Sequence, residues 1–333
     1  MFSSYDIARS ADIVFSEVLS INQFNKLDSK NLKILNKTDD YIFYKNTKFE
    51  LKENDVIFTH TGTIKNLFYL LRNVDKKLNL TLITHQADLM IDKKLLMKKP
   101  ECICNWFGVN IDSFGDDLIP IPIGLANEYS PKNVQKHQIL NDIDINSYIG
   151  KEQLLYINFT DNTNFNERGW IKDYFQNKKW ASIEKGDLTI DQYINKIKKF
   201  SFAICPWGNG VDTHRIWEAL SLGTVPIVKK HVTFSNLSGL PILFVDDFKQ
   251  VNEELLNNFL TKLGKGVDFN LDKLYSDYWI GFTKRDLVEG IQTKEIIESN
   301  LVFNYFNYLS TFKSKLNSYL KIINYYIRKI KGN

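Results

Sequence analysis

The sequence predicts an α/β protein of two halves, each a parallel sheet wrapped by helices, on three observations. Compact β-branched runs alternate with segments of helical periodicity. The alternation stops in a polar, weakly patterned stretch at 132–151 and then begins again. Finally, 333 residues are too many for one small core and suit two domains of about 130–170 residues. A content of 44% hydrophobic and 14% aromatic residues excludes disorder for most of the length. The net charge of +4 is small for this size, so no nucleic-acid partner is expected and any polyanion contact must come from a local patch.

At the N-terminus, Asp6, Arg9 and Asp12 fall where a signal peptide needs an apolar run. No window approaches the roughly 18 apolar residues of a spanning helix. Three cysteines, Cys102, Cys104 and Cys205, are an odd number in a chain that needs no staples. Together these features lead to the expectation of a cytoplasmic protein. Cys102 and Cys104 form C-x-C with no His or second Cys pair at zinc spacing, so they read as strand residues.

Residues 55–60 and 80–85 are short apolar strands, and the helical pattern at 64–73 between them completes a βαβ unit. In open parallel sheets ligands collect at the carboxyl ends of strands, where His60 and His85 stand. Pro120, Pro122, Gly124 and Pro131 punctuate the stretch that closes an N-terminal domain, 1–140. The second domain, 150–285, predicts a strand at 154–158, helices at 166–177 and 190–199, and a strand at 201–205. A glycine loop at 208–210, a helix at 213–222 and strands at 225–228 and 242–245 follow. Two Rossmann-like halves joined by a linker is the architecture this order implies.

The tail, 290–333, predicts a long helix over 295–331, with Phe303, Phe306, Leu309, Phe312, Leu316, Leu320, Ile323 and Ile327 at spacings of three and four. Its last turns add Lys321, Arg328, Lys329 and Lys331. A basic amphipathic end can lie on an anionic membrane, giving peripheral contact at the inner face. A helix packed across both halves with a solvated basic face fits the same pattern.

The chemistry is concentrated in 200–247. A strand runs into Gly208-Asn209-Gly210, and a helix opens near Thr213. Glycines there let backbone N–H groups approach a ligand, and the helix N-terminus adds partial positive charge, which makes an anion site of the kind phosphate occupies. Arg215 and Glu218 share one helix face. Arg215 can fork onto phosphate and Glu218 can accept from a vicinal diol such as ribose; alone, the two could be a solvated i,i+3 ion pair. His214, Trp207 and Trp217 stand beside the loop with packing roles equally open. The run Lys229-Lys230-His231 reads as a solvated loop or an anion contact.

The string CPWGNGVDTHRIWEALSLGTVPIV, 205–228, resembles the donor-site signature of exostosin-like glycosyltransferases (glycosyltransferase family 47-like), a group with the two-domain GT-B fold. Asn158-Phe-Thr, Asn164-Phe-Asn-Glu-Arg168, His85-x-x-Asp88, Trp106-Phe and Ile121-Pro-Ile-Gly124 extend the resemblance more loosely over 55–250. It implies that the C-terminal half binds a nucleotide sugar, a UDP-sugar foremost, and that the N-terminal half presents a glycan or lipid-linked acceptor. Arg168 and Arg215 would neutralise the diphosphate, and Glu218 would bind ribose. Gly208, Asn209, Gly210, Thr213 and His214 complete the donor site. GT-B enzymes commonly use arginines and a helix dipole rather than a metal, and the one D-x-D string, Asp142-Ile-Asp144, falls in the linker; no metal and no cofactor are expected. Retaining enzymes of the commonest GT-B class carry a glutamate where Gly210 stands, so inversion is expected. Inversion needs a general base in the acceptor half, for which Asp88, His85 and His60 are the candidates, Asp88 first. Eukaryotic exostosins carry an N-terminal anchor that this sequence lacks, which turns the expectation from heparan-type polymerisation to bacterial or viral surface polysaccharide biosynthesis. A fucosyltransferase-like GT-B enzyme is the enzymatic alternative, and a catalytically silent nucleotide-sugar or glycan-binding module is the alternative of another class.

Overall fold

The computed structural model describes residues 1–113, 115, 117–139, 142–184, 188–265, 269–283 and 293–312. After the helix Ser4–Arg9 come β1 (Ile13–Ser20), β2 (Leu32–Lys37), β3 (Tyr41–Asn46), β4 (Lys48–Lys52), β5 (Val56–His60), β6 (Leu80–His85), β7 (Ile103–Gly108) and β8 (Leu118–Pro120). Seven of them form one sheet in the order β2-β3-β1-β5-β6-β7-β8. From β1 to β8 the neighbours are parallel, whereas β3 and β2 add an antiparallel edge. The helix Ile64–Leu71 is the expected crossover between β5 and β6, burying Ile64, Leu67, Phe68 and Leu71. The β1–β4 region was not foreseen from the sequence.

The second sheet holds β9 (Gln153–Ile157), β10 (Ala181–Ile183), β11 (Phe200–Ile204), β12 (Val225–Lys229) and β13 (Leu243–Val245). It is wholly parallel in the order β10-β9-β11-β12-β13. Between β11 and β12 runs the helix His214–Ser221, which buries Ile216, Trp217, Ala219 and Leu220. Gly223 ends it with φ +70°, and a side chain there would meet the Ser147 carbonyl at 2.5 Å, so only glycine turns the chain into β12 at this point. The single helix expected over 166–177 is two short ones, Phe165–Arg168 and Ile171–Phe175, parted at Gly169.

A single buried cluster spans both sheets, joining Phe58, Ile83, Phe107 and Ile123 of the first to Leu155, Phe202, Ile216 and Ile227 of the second. The connecting stretch contributes to it: Val134 and Tyr148 are buried, and the Tyr148 hydroxyl donates to the Leu220 carbonyl at 2.8 Å. Asp144 of the D-x-D string accepts from the Ser147 backbone at 3.0 Å and caps the turn Ile145–Tyr148. At the chain's start the Phe2 N–H donates to the Leu274 carbonyl at 2.6 Å, next to the helix Ser276–Thr283.

The tail departs from the expected helix. Residues Thr293–Ile297 are a strand, β14, antiparallel to β4 with Ile296 opposite Phe49, and helix covers 300–312. The expected helix at 313–333, with its basic turns, lies outside the described residues. Beyond β14 the buried Glu298 receives the Lys45 ammonium at 2.9 Å and the Asn66 amide at 2.8 Å, while Lys33 donates to Asn300 at 2.7 Å. The described tail therefore packs on the first sheet, not across both halves. Lys45 and Glu298 are almost wholly buried, so removing one strands the other's charge. Lys45→Met is expected to cost about 3–5 kcal/mol, and Lys45→Met with Glu298→Leu to recover most of that loss in urea midpoints. Equal losses in the single and double variants would count against the pair as the tail's anchor.

Candidate functional site

Loops that follow strands of the two sheets are hydrogen-bonded to each other. Asn110, just past β7, accepts the Asp212 N–H at 2.8 Å; Asp212 in turn accepts the Ile123 N–H at 2.7 Å and the Trp217 indole N–H at 2.9 Å. The Thr233 hydroxyl donates to the Ile111 carbonyl at 2.9 Å, and the Asn236 amide to the Pro120 carbonyl at 3.1 Å. Burial raises the Asp212 carboxyl to about 7. Gly210 fits because a β-carbon there would meet the Asn110 amide at 2.7 Å. Sequence reasoning did not assign Asp212 or Asn110 a role. The one available signal was an acid just before a helix start, which ordinarily reads as a cap.

The glycine loop is held from beneath by Arg168. Its buried guanidinium donates to three carbonyls, Thr160 (2.9 Å), Pro206 (3.2 Å) and Trp207 (2.8 Å). Burial, and then the nearby positive charge of Arg215, pull its pKa down to about 10. Arg215, in the first turn of the following helix, lies over the Tyr193 ring at 5.6 Å and makes no hydrogen bond to a described residue. Close by, the Thr213 hydroxyl and the Trp207 indole nitrogen are buried without a hydrogen-bond partner among the described residues. Lys229 stands over the Trp207 ring at 4.7 Å and pairs with Glu167 at 3.0 Å. The loop closes on itself through Gly208 N–H to the Gly210 carbonyl at 2.9 Å, leaving Asn209 exposed at its tip.

The structure thus gathers Arg168, Gly208, Asn209, Gly210, Thr213, His214 and Arg215 around one loop, with His214 donating from Nδ1 to the Gly124 carbonyl at 2.8 Å. Glu218 is a correction. It is buried, with one oxygen accepting from the Asn133 amide (3.2 Å) and the Val134 N–H (3.3 Å) and the other from the Tyr193 hydroxyl (3.2 Å). Three of its roughly four acceptor positions are thus taken, two by the connecting stretch and one by Tyr193, where the sequence reading leaves it open for a ribose diol.

The base candidates separate as well. His85 is corrected to a structural role: Nδ1 accepts from the Gln86 N–H at 2.7 Å and Nε2 donates to the Pro122 carbonyl at 2.9 Å, which leaves no lone pair for a substrate proton. Burial pushes it down to about 3. His60 accepts the Gly62 N–H on Nδ1 at 3.0 Å, lies against Phe43 at 4.5 Å and is pushed by burial to about 4. Asp88, beyond β6, is exposed and makes no hydrogen bond or ion pair with a described residue. Just past His60 a cavity of about 450 Å³ lies between Phe43, Gly62, Thr63 and Phe306 of the tail.

Residues 145–263 match the model of the RXYLT1 C-terminal domain, a glycosyltransferase-related family. This span contains β9 through β13 and the whole of the glycine loop. Among solved structures, one described as the crystal structure of an α1,3-fucosyltransferase is similar over 79% of this chain and 78% of its own, at 14% identity and a TM-score of 0.33, a likeness too distant to define the fold. A comparison with curated proteins gives no match.

The raised Asp212 carboxyl has a consequence for stability. Its folded pKa of about 7 lies above the unfolded value near 4. Its favourable contribution is therefore complete below about pH 4 and is lost as pH rises through about 7. Asp212→Asn does not titrate, so wild type is expected to lose stability relative to this variant between pH 4.5 and 7.5, read from urea midpoints. The opposite trend would mean that Asp212 is held ionised.

Proposed function

We propose that the chain is a glycosyltransferase of the GT-B type, moving a sugar from a nucleoside diphosphate donor, foremost a UDP-sugar, to a hydroxyl of a glycan or lipid-linked acceptor. We assign it inversion at the anomeric carbon and no metal. The observation that carries this reading is a set of donors lacking acceptors. Among the described residues, Arg215, the Thr213 hydroxyl and the Trp207 indole beside the glycine loop have no hydrogen-bond acceptor, and the buried Arg168 adds positive charge close by. Arg168 feels the charge of Arg215, and an anion bound at Arg215 offsets that repulsion. The glycosyltransferase-related match over the same residues supports the diphosphate as that anion.

In such a transfer the acceptor oxygen bonds to the anomeric carbon, its proton passes to a carboxylate, and the carbon–oxygen bond to the diphosphate breaks with its electron pair leaving on phosphate. Charge builds on the diphosphate, so donors fixed in advance around it lower the barrier most. Arg215 supplies full charge, and the N-terminus of the helix His214–Ser221 supplies partial charge. Asp88 is the carboxylate proposed for the proton, since its oxygens are exposed and uncommitted. The commitment of both ring nitrogens of His85, one of the candidate bases, favours, as a second reading, a nucleotide-sugar-binding module without turnover.

Because Arg215 makes no hydrogen bond to a described residue, Arg215→Ala is expected to leave the fold intact, weaken nucleoside diphosphate binding and lower turnover by about 10²–10³-fold. Arg168→Ala, by contrast, is expected to lose the loop and lower the melting temperature. A thermal-shift panel of UDP-, GDP-, CMP- and dTDP-sugars, each with and without EDTA, reads donor class and metal independence together. No shift with any donor, or wild-type affinity and turnover in Arg215→Ala, would remove the donor site. Asp88→Asn is expected to cut kcat with donor affinity unchanged. Donor binding without hydrolysis or transfer would select the second reading.

A further inference from the structure

The helix at 300–312 is apolar on two sides, an arrangement that normally requires burial on both. Its inner side is occupied. Phe303 lies under the ammonium groups of Lys33 and Lys45 at 4.5 and 4.6 Å, and Phe306 packs on Tyr69 at 5.6 Å. On its outer side Leu301, Tyr305, Tyr308 and Phe312 follow one another at spacings of four, three and four, which places them on one face. They are 83%, 59%, 67% and 54% exposed, and Ile297 at the end of β14 is 61% exposed. A continuous exposed apolar strip of this kind marks an interaction site.

Charge indicates what covers it. After Glu298, whose carboxylate is held by Lys45, no acidic residue occurs through Asn333, whereas Lys313, Lys315, Lys321, Arg328, Lys329 and Lys331 do. Near the inner side, Arg72 lies over the Tyr69 ring at 3.6 Å and adds to the same sign. A segment that carries only positive charge repels its own copy, which disfavours this face as a dimer contact, and is attracted to a negative surface. Tyrosine and phenylalanine suit the boundary of a bilayer, where the ring enters the acyl edge and the hydroxyl stays among the headgroups. No helix among the described residues is long and apolar enough to cross a membrane, so contact would be from one side.

We propose that the outer face of the 300–312 helix docks the protein on an anionic lipid surface, with Leu301, Tyr305, Tyr308 and Phe312 seated at the headgroup boundary and the basic residues later in the sequence supplying the attraction. The docking does not depend on the glycosyl-transfer reading. The sequence alone left open whether such an end meets a membrane or packs across both halves. The described helix leaves this second apolar face uncovered.

Cosedimentation of the full chain with phosphatidylcholine vesicles, and with vesicles in which part of the lipid is phosphatidylserine, tests it. Binding is expected to the anionic vesicles only, and to fall as salt screens the attraction. Tyr305→Ser with Tyr308→Ser, both exposed, is expected to reduce binding by about tenfold or more, with circular dichroism and nucleotide binding unchanged. Lys313→Glu with Lys315→Glu is expected to weaken binding and flatten its salt dependence. If the tyrosine variant folds poorly, Leu301→Ser is the substitute, being the most exposed of the four. Indifference of wild type to vesicle charge, or wild-type binding by the folded variants, would overturn the proposal. So would a dimer in light scattering that the tyrosine variant dissociates, since it assigns the face to a second copy.

Discussion

The constraint on which the site depends is the engagement of all three guanidinium nitrogens of Arg168. By donating to three carbonyls of two segments it fixes the path of the loop after β11, and in doing so its charge is committed beneath that loop. The next arginine along, Arg215, stands in the field of the first; Tyr193 and Glu218 favour its charge, but among the described residues its guanidinium has no hydrogen-bond acceptor. Glu218 accepts from Asn133, Val134 and Tyr193 rather than from Arg215, which leaves the Arg215 N–H donors open to an incoming anion. The glycines follow from the same geometry, since Gly208 passes within 3.0 Å of the Arg168 guanidinium as measured from a β-carbon placed there. Structure and chemistry are therefore divided between the two arginines that sequence reasoning treated as equivalent.

A second consequence concerns how the two sheets meet. Asp212, His214 and Glu218 all lie on the segment expected to grip a nucleotide, yet each is bonded to residues 110–134. In the structure these polar groups fasten one half to the other, and the hydrophobic cluster beneath runs through both. Nucleotide entry that reached Glu218 would have to displace Asn133 and Val134. Entry that reached only Arg215 and Thr213 would not. A diphosphate held at the helix N-terminus, with its nucleoside directed away from Glu218, is the arrangement compatible with the bonds present.

How much was legible in the sequence follows from how local each signal is. β5, the helix Ile64–Leu71, β6 and the loop–helix–strand passage from Cys205 to Lys229 were readable because β-branched runs, helical spacing and Gly223 act within a few residues. β2 and β4 were not, because LKILNK and KFELK are charged and half-exposed, and their pairing partners decide their state. β14 was misread as helix because the strand that pairs with it lies some 240 residues earlier, a distance no local period reports. The same limit governed side chains. The ring nitrogens of His85 are consumed by Gln86 and Pro122, and Glu218 by Asn133, Val134 and Tyr193, partners that only the folded path brings near. Asp88 is exposed and makes no hydrogen bond with a described residue.

The central claim is that the space between Arg215, Thr213 and the glycine loop is a diphosphate site. The most direct measurement is a crystal structure of the wild-type protein with a nucleoside diphosphate bound. The account predicts a terminal phosphate within hydrogen-bond distance of the Arg215 guanidinium and the Thr213 hydroxyl, with the three carbonyl bonds of Arg168 unchanged. A nucleotide bound elsewhere, or an Arg215 that remains without a phosphate contact at saturation, would contradict it.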